Sequence, residues 1–161
     1  MRDALRILSG GQTGVDRAAL DAALELGLAC GGWCPKGRWA EDGEIPERYP
    51  LNETTSTDPA TRTRANVADA DATLVLTDGE PTDGTRLAMS AAGDLHKPCL
   101  CVDFTVGADI ERVRTWIEET GAASLNVAGP RESNAPGIYQ MAHGFLVMAL
   151  APWATTHPRT H

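Results

Sequence analysis

Apolar and polar positions alternate along this chain with two different periods. Leu5-Arg6-Ile7-Leu8 is a short apolar run stopped by Ser9-Gly10-Gly11, which predicts a strand. Over 14–27 the apolar positions Val15, Ala18, Ala19, Ala22 and Leu26 recur at helical spacing. Thr13 is placed to cap that helix, with Asp16 three residues on in a capping-box position, and Gly27 is placed to end it. Residues 28–33 predict a second strand. Residues 34–58 follow neither period and carry Pro35, Gly37, Gly43, Pro46 and Pro50. A stretch this long inside one domain is either functional or disordered. Trp39 and Tyr49 need a surface to pack on, which predicts order. Trp33, Trp39 and Tyr49 are expected to wall a ligand pocket.

The second half repeats the alternation. Asp58 as N-cap and Pro59 as first residue predict a helix over 59–70. The continuous run Ala72-Thr73-Leu74-Val75-Leu76-Thr77 predicts a central strand buried on both faces. A turn-rich loop leads to a helix over 85–95, and residues 98–102 are the next strand. A helix over 108–120 turns Ile110, Val113 and Ile117 inward. Residues 124–127 are a fifth strand. A last helix over 136–150 places Ile138, Met141, Ala142, Phe145 and Ala149 on one face. Five strands alternating with helices predict an α/β fold, a doubly wound parallel sheet in a single domain over 1–151. Residues 152–161 lack a period and are expected to be a flexible tail.

Composition narrows the class. The chain has 161 residues, 42% apolar and 22% charged, a globular balance that excludes disorder and fibrous classes. No run approaches the roughly 18 apolar residues of a membrane span, and the first residues lack a signal-peptide pattern. A cytoplasmic protein without membrane contact is expected. Lys plus Arg number 14 against 22 Asp plus Glu, a net charge of −8. Such a chain has no electrostatic footprint for nucleic acid, and an anionic small molecule must be held by local donors. Cys30, Cys34, Cys99 and Cys101 read as structural thiols, because their spacing is unusual for zinc. No dedicated metal site is expected.

In a doubly wound sheet, ligands bind outside the carboxyl ends of the strands. After the first strand stand Gly10, Gly11, Gln12, Thr13 and Gly14, where glycine permits close backbone approach and a helix start offers free amides. The spacing is not Gly-x-Gly-x-x-Gly, so it does not point to NAD. After the third strand, Asp83-Gly84-Thr85 again precedes a helix, with Thr85 as a hydroxyl and cap. These two helix starts are expected to converge on one phosphate-sized site. Cations lie beside the loops: Lys36 and Arg38, Arg62 and Arg64, and Arg131 in Gly129-Pro130-Arg131-Glu132-Ser133. Arg131 is expected to bind the anion. No nucleophile–base arrangement stands out, and His96 and His143 read as structural.

Longer motifs carry a resemblance. Residues 9–21, Gly32-Trp33-Cys34-Pro35-Lys36-Gly37-Arg38, Glu41-Asp42-Gly43, Tyr49-Pro50-Leu51, Arg62-Thr63-Arg64-Ala65-Asn66-Val67, Asp83-Gly84-Thr85, Lys97-Pro98 and 125–133 together resemble the putative molybdenum carrier family. That family is similar to molybdenum-cofactor carriers and to the lysine-decarboxylase-like Rossmann group. The resemblance spans about 5–145. It implies a Rossmann-like fold and a carrier of a phosphorylated pterin, the molybdenum cofactor, or of a nucleotide. The implied ligand contacts are Gly10, Gly11, Gln12, Thr13, Gly14, Lys36, Arg38, Asp83, Gly84, Thr85, Arg131, Glu132 and Ser133. It also implies a homo-oligomer, dimer or tetramer. The alternatives it leaves open are a phosphoribohydrolase-like hydrolase and a nucleotide-sensing module. Hydrolases of the wider group carry Pro-Gly-Gly-x-Gly-Thr-x-x-Glu with a catalytic Glu; here Ala88 stands at that place, so binding without catalysis is the leading expectation.

Overall fold

The apolar run at 72–77 organises the sheet. In the computed structural model, which describes residues 3–155, it forms β7 (Ala72–Thr77), and every residue of it is buried. It pairs in parallel with β8 (Cys99–Asp103) and with β9 (Ser124–Ala128). β9 pairs in parallel with β1 (Arg6–Leu8), and β1 with β2 (Cys30–Gly31). The order is β2-β1-β9-β7-β8, so the expected five-stranded parallel sheet is present. The strand at 72–77 is interior, as its two-faced burial requires. The last strand in sequence, β9, lies at the centre.

Alternation along the strands separates two unlike faces. Ile7, Leu74, Leu76, Leu100, Val102, Leu125 and Val127 share the main core with α1 (Val15–Leu26), α4 (Ile110–Thr120) and α5 (Ile138–Ala149). On the other face lie α2 (Pro59–Asp69) and α3 (Asp83–Asp94), joined by a smaller cluster of Val67, Ala88, Ala91 and Ala92. The strand residues outside the main core include the buried polar side chains Thr73, Thr77 and Asn126.

Local chemistry explains most element ends. Gly27 closes α1 in the left-handed conformation. Asp58 caps α2 by accepting from the Ala60 amide, with Pro59 in the first turn. Val113 and Ile117 are buried and Ile110 packs on the core, as expected. Met141 departs from the predicted inner face of the last helix. It is exposed, and Leu146 is buried instead, because α5 packs chiefly along α1.

Two segments differ more. The second strand covers only Cys30–Gly31, because Gly32, at φ 126°, turns the chain out of the sheet. Its continuation, β3 (Trp33–Cys34), pairs in parallel with β6 (Asn52–Glu53) and closes the base of the 34–58 excursion. Within it, β4 (Trp39–Ala40) and β5 (Gly43–Glu44) form a hairpin. Leu20, Cys34, Ala40, Ile45, Tyr49 and Leu51 make a second core beneath it. The excursion is therefore ordered, as its aromatics required. The ordered body also runs past residue 151: Ala151–Trp153 form a 3-10 turn, Trp153 is buried, and the Thr155 amide donates to the Leu26 carbonyl. Residues 156–161 of the expected tail, His157 and His161 among them, lie outside the described residues.

The four cysteines are free thiols. Cys34 is fully buried, Cys30 is half-buried against the core, Cys101 is half-buried, and Cys99 is exposed on the edge strand β8. Among the described residues no group of three or more His, Cys, Asp or Glu is placed to hold a metal ion, and no helix is long and apolar enough to cross a membrane.

Candidate functional site

The chain leaves β1 outward to β2 and β7 outward to β8, with β9 inserted between them. A crevice at the carboxyl ends of these central strands follows from that reversal. The structure has a cavity there of about 820 Å³. Its wall is built by the loop after β1, the first turns of α2 and α3, and β9 with its following loop.

The loop after β1 is held by partners of its own. Gly14 sits at φ 78°, ψ −129°, where an added Cβ would lie 2.4 Å from the Pro130 carbonyl oxygen. Gly11, also at positive φ, would meet Leu51 and Ile45, and Gly10 would meet the Arg62 guanidinium. Thr13 does not cap α1. Its hydroxyl donates to Glu41 and accepts from the Glu132 amide at 3.1 Å. The amides leading into α1 turn to acceptors within the protein: Gln12 N to Asp16 Oδ2 at 3.3 Å and Thr13 N to the Gln12 side chain in the loop, and Val15 N, at the first helical position, to the Pro130 carbonyl. Only part of the expected convergence survives, because the amides at 12, 13 and 15 are already taken by Asp16, the Gln12 side chain and Pro130, and the buried Asp16 carboxylate occupies the space in front of them.

Asp16 is the centre of this arrangement. It is 6% exposed and pairs with Arg62, Nη1 to Oδ2 at 2.9 Å. Burial pushes its carboxyl above the usual value, against the opposing pull of the Arg62 guanidinium and the Gln12 amide. Arg17 pins the hairpin tip over the loop, donating to the Gly11 carbonyl and to both oxygens of Asp42. Glu41, at that tip, accepts from the Ser133 amide and hydroxyl as well as from Thr13. Burial alone would raise the Glu41 carboxyl, but these hydrogen bonds and the nearby Arg131 hold it below the usual carboxylate range.

The start of α3 is the opposite case. Thr82 is its N-cap without capping it, because its hydroxyl pairs instead with the Thr85 hydroxyl at 3.1 Å. Thr85 lies inside the helix, which begins at Asp83 rather than 85. The amides of Asp83, Gly84 and Thr85 have no acceptor among the described residues, and all three residues line the cavity. Arg86 and Arg131 line the same mouth. Among the described residues the Arg131 side chain is tied only to Glu41, at 3.9 Å.

Of the expected contacts, the cavity gathers Gly10, Gln12, Asp83, Gly84, Thr85 and Arg131. Gly11, Thr13 and Gly14 stand behind it as framework. Glu132 spends its carboxylate on the Gly137 and Tyr139 amides at the start of α5, and Ser133 is held by Glu41. Lys36 and Arg38 lie away from the cavity. Arg38 donates to the carbonyls of Ile45, Pro46, Tyr49 and Leu51 and so braces the excursion. The expected aromatic wall is absent. Tyr49 is buried, with its hydroxyl on Asp21; the Trp33 indole donates to Asp69; Trp39 is exposed; and none of the three lines the cavity. Asp16, Asn66 and Asn126 line it without having been expected there. A polar residue inside the buried run Leu125-Asn126-Val127 was the available signal.

This glycine loop, helix start and central crevice match one family along nearly the whole domain: the sequence profile of the circularly permuted YpsA SLOG family covers residues 7–150. The chain belongs to that family. A solved structure from Syntrophus aciditrophicus SB, named Putative molybdenum carrier protein, is 39% identical with a TM-score of 0.84, covering 96% of this chain and 97% of that one. The family resemblance and the Rossmann-like fold are thereby borne out. No curated protein matches the chain.

Proposed function

We propose that this chain is a binding or carrier protein for a phosphorylated small molecule, either a phosphorylated pterin such as the molybdenum cofactor or a nucleotide. The observation that carries the reading is the start of α3: three amides without acceptors open on a cavity large enough for such a ligand, with Arg86 and Arg131 beside them. Unpaired amides and the macrodipole favour an anion there, and an Arg adds a charge-assisted bond. Binding is favoured over hydrolysis because position 88 offers no carboxylate. Ala88 is fully buried in the α2–α3 contact with Val67, Ala91 and Ala92. The name of the Syntrophus relative supports a carrier role, and the same reading includes a cytoplasmic homo-oligomer.

A thermal-shift panel of pterins, nucleotides, inorganic phosphate and molybdate tests it. A ligand at 100 times its Kd stabilises the fold by about 2.7 kcal/mol. Stabilisation by phosphorylated compounds, lost in Gly84→Glu, is the expected result. No stabilisation by any anion overturns the reading. Light scattering that returns a monomer mass removes the oligomer.

A further inference from the structure

We infer that the base of the cavity recognises the lactam edge of a heterocycle, a ring N–H beside a ring carbonyl, while the phosphate stays at the mouth. The inference rests on the binding reading above and assigns which end of the ligand enters first.

Burial divides the cavity into two zones. Asp83, Gly84, Arg86 and Arg131 are exposed at its mouth, whereas Asp16, Asn66 and Asn126 are 6%, 2% and 3% exposed at its base. The base is polar but carries no net charge, since Asp16 and Arg62 pair. Each partner spends only part of its capacity. Asp16 Oδ2 takes both the Arg62 bond and the Gln12 amide, and Arg62 Nε donates to the Pro59 carbonyl. Asp16 Oδ1 and Arg62 Nη2 have no partner among the described residues. Asn126 is similarly unspent: its Nδ2 reaches Thr73 Oγ1 at 3.5 Å, the outer limit of a hydrogen bond, and its Oδ1 has no partner among the described residues. Asn66, by contrast, is locked to both the amide and the carbonyl of Trp33 and serves as wall.

The base therefore offers a carboxylate acceptor, a guanidinium donor and an amide able to do both. A phosphate brings only acceptors and would face Asp16 Oδ1. An apolar group would leave three buried polar groups unpaired, which is costly. A lactam edge brings one donor and one acceptor side by side, which satisfies Asp16 and Arg62 together. Pro59, Pro81, Leu87 and Val127 line the same space and supply apolar surface for the ring faces.

Calorimetric titration of the full chain with inosine 5′-monophosphate, its N1-methyl derivative and ribose 5-phosphate tests this. Inosine monophosphate is expected to bind about tenfold or more tighter than ribose 5-phosphate, with the N1-methyl compound falling back towards the sugar phosphate. Asp16→Asn is expected to weaken inosine monophosphate about tenfold more than it weakens ribose 5-phosphate. Equal affinity of the three probes overturns the inference, as does equal loss of both ligands in Asp16→Asn. If that variant does not fold, the three probes on the unaltered chain decide alone. If none of the three binds while the thermal-shift panel finds a phosphorylated ligand, this assignment fails alone; if the panel finds none either, the binding reading fails with it.

Discussion

The starts of α1 and α3 look alike in sequence and differ in what they have left to offer. Both follow a parallel strand, both carry glycine and threonine, and both have an aspartate in the first turn. In α1 the aspartate is buried, turns back on the loop and takes an amide, while Arg62 neutralises it. In α3 the aspartate is exposed, pairs with Arg86 along the helix surface and leaves the amides open. A glycine-rich turn before a helix is thus a permissive geometry. Whether it binds an anion depends on whether the protein has already filled it. The closed start serves as the frame from which the open one is presented.

The largest break in this comparison is expected at the closed start. Asp16→Ala would remove the buried partner of the largely covered Arg62 and the acceptor of the Gln12 amide, at a cost of about 3 kcal/mol in denaturant unfolding. The counterpart Asp83→Ala removes an exposed pair and should cost less than about 1 kcal/mol. Gly14→Ala should follow at roughly 2–4 kcal/mol, combining a conformation reserved for glycine with overlap on the Pro130 backbone. The matching change at the open start, Gly84→Ala, meets nothing within 4 Å and sits inside a helix. It should stabilise the fold by about 0.5–1 kcal/mol. If Gly14→Ala proves as harmless as Gly84→Ala, the asymmetry between the two starts is wrong.

Next in size is a binding effect. Arg131→Ala is expected to weaken ribose 5-phosphate by about ten- to a hundredfold while leaving the unfolding midpoint nearly unmoved, since among the described residues its side chain has only the long contact to Glu41. Unchanged affinity would make Arg131 a brace between loops.

The smallest effect concerns the clasp over the closed start. The Glu41 carboxyl titrates below the usual range in the folded protein, so its contribution is present above the unfolded value and is lost as pH falls through the folded one. Glu41→Gln should therefore lower the melting temperature at neutral pH by a few degrees and flatten the decline on acidification below about pH 4.3. An acid limb as steep as that of the parent would show that other carboxylates carry it.

Much of the fold was legible because its signals are local. The two-faced run at 72–77, the Asp58-Pro59 start of α2 and the Gly27 stop of α1 each depend on neighbours a few residues away. The site was legible only in outline. Gly84, Thr85 and Arg131 could be placed at the sheet's carboxyl edge from their loops alone. Arg38 could not be told from a ligand-binding cation, because its four carbonyl acceptors come together only when the excursion folds. Trp33, Trp39 and Tyr49 announced an ordered loop without disclosing that it packs on α1 instead of on the cavity.

The sequence by itself determined the alternation of strands and helices, their parallel pairing and the edge of the sheet where ligands must bind, since periodicity, caps and crossover geometry are properties of short stretches. Tertiary structure decided that β9 enters between β1 and β7, and which helix start stayed open. The pairs that settle the latter are distant in sequence: Asp16 and Arg62 lie 46 residues apart, and Glu41 and Ser133 lie 92 apart. A carboxylate accepts from an amide only at about 3 Å, so whether it takes one is known only when folding has placed the two together.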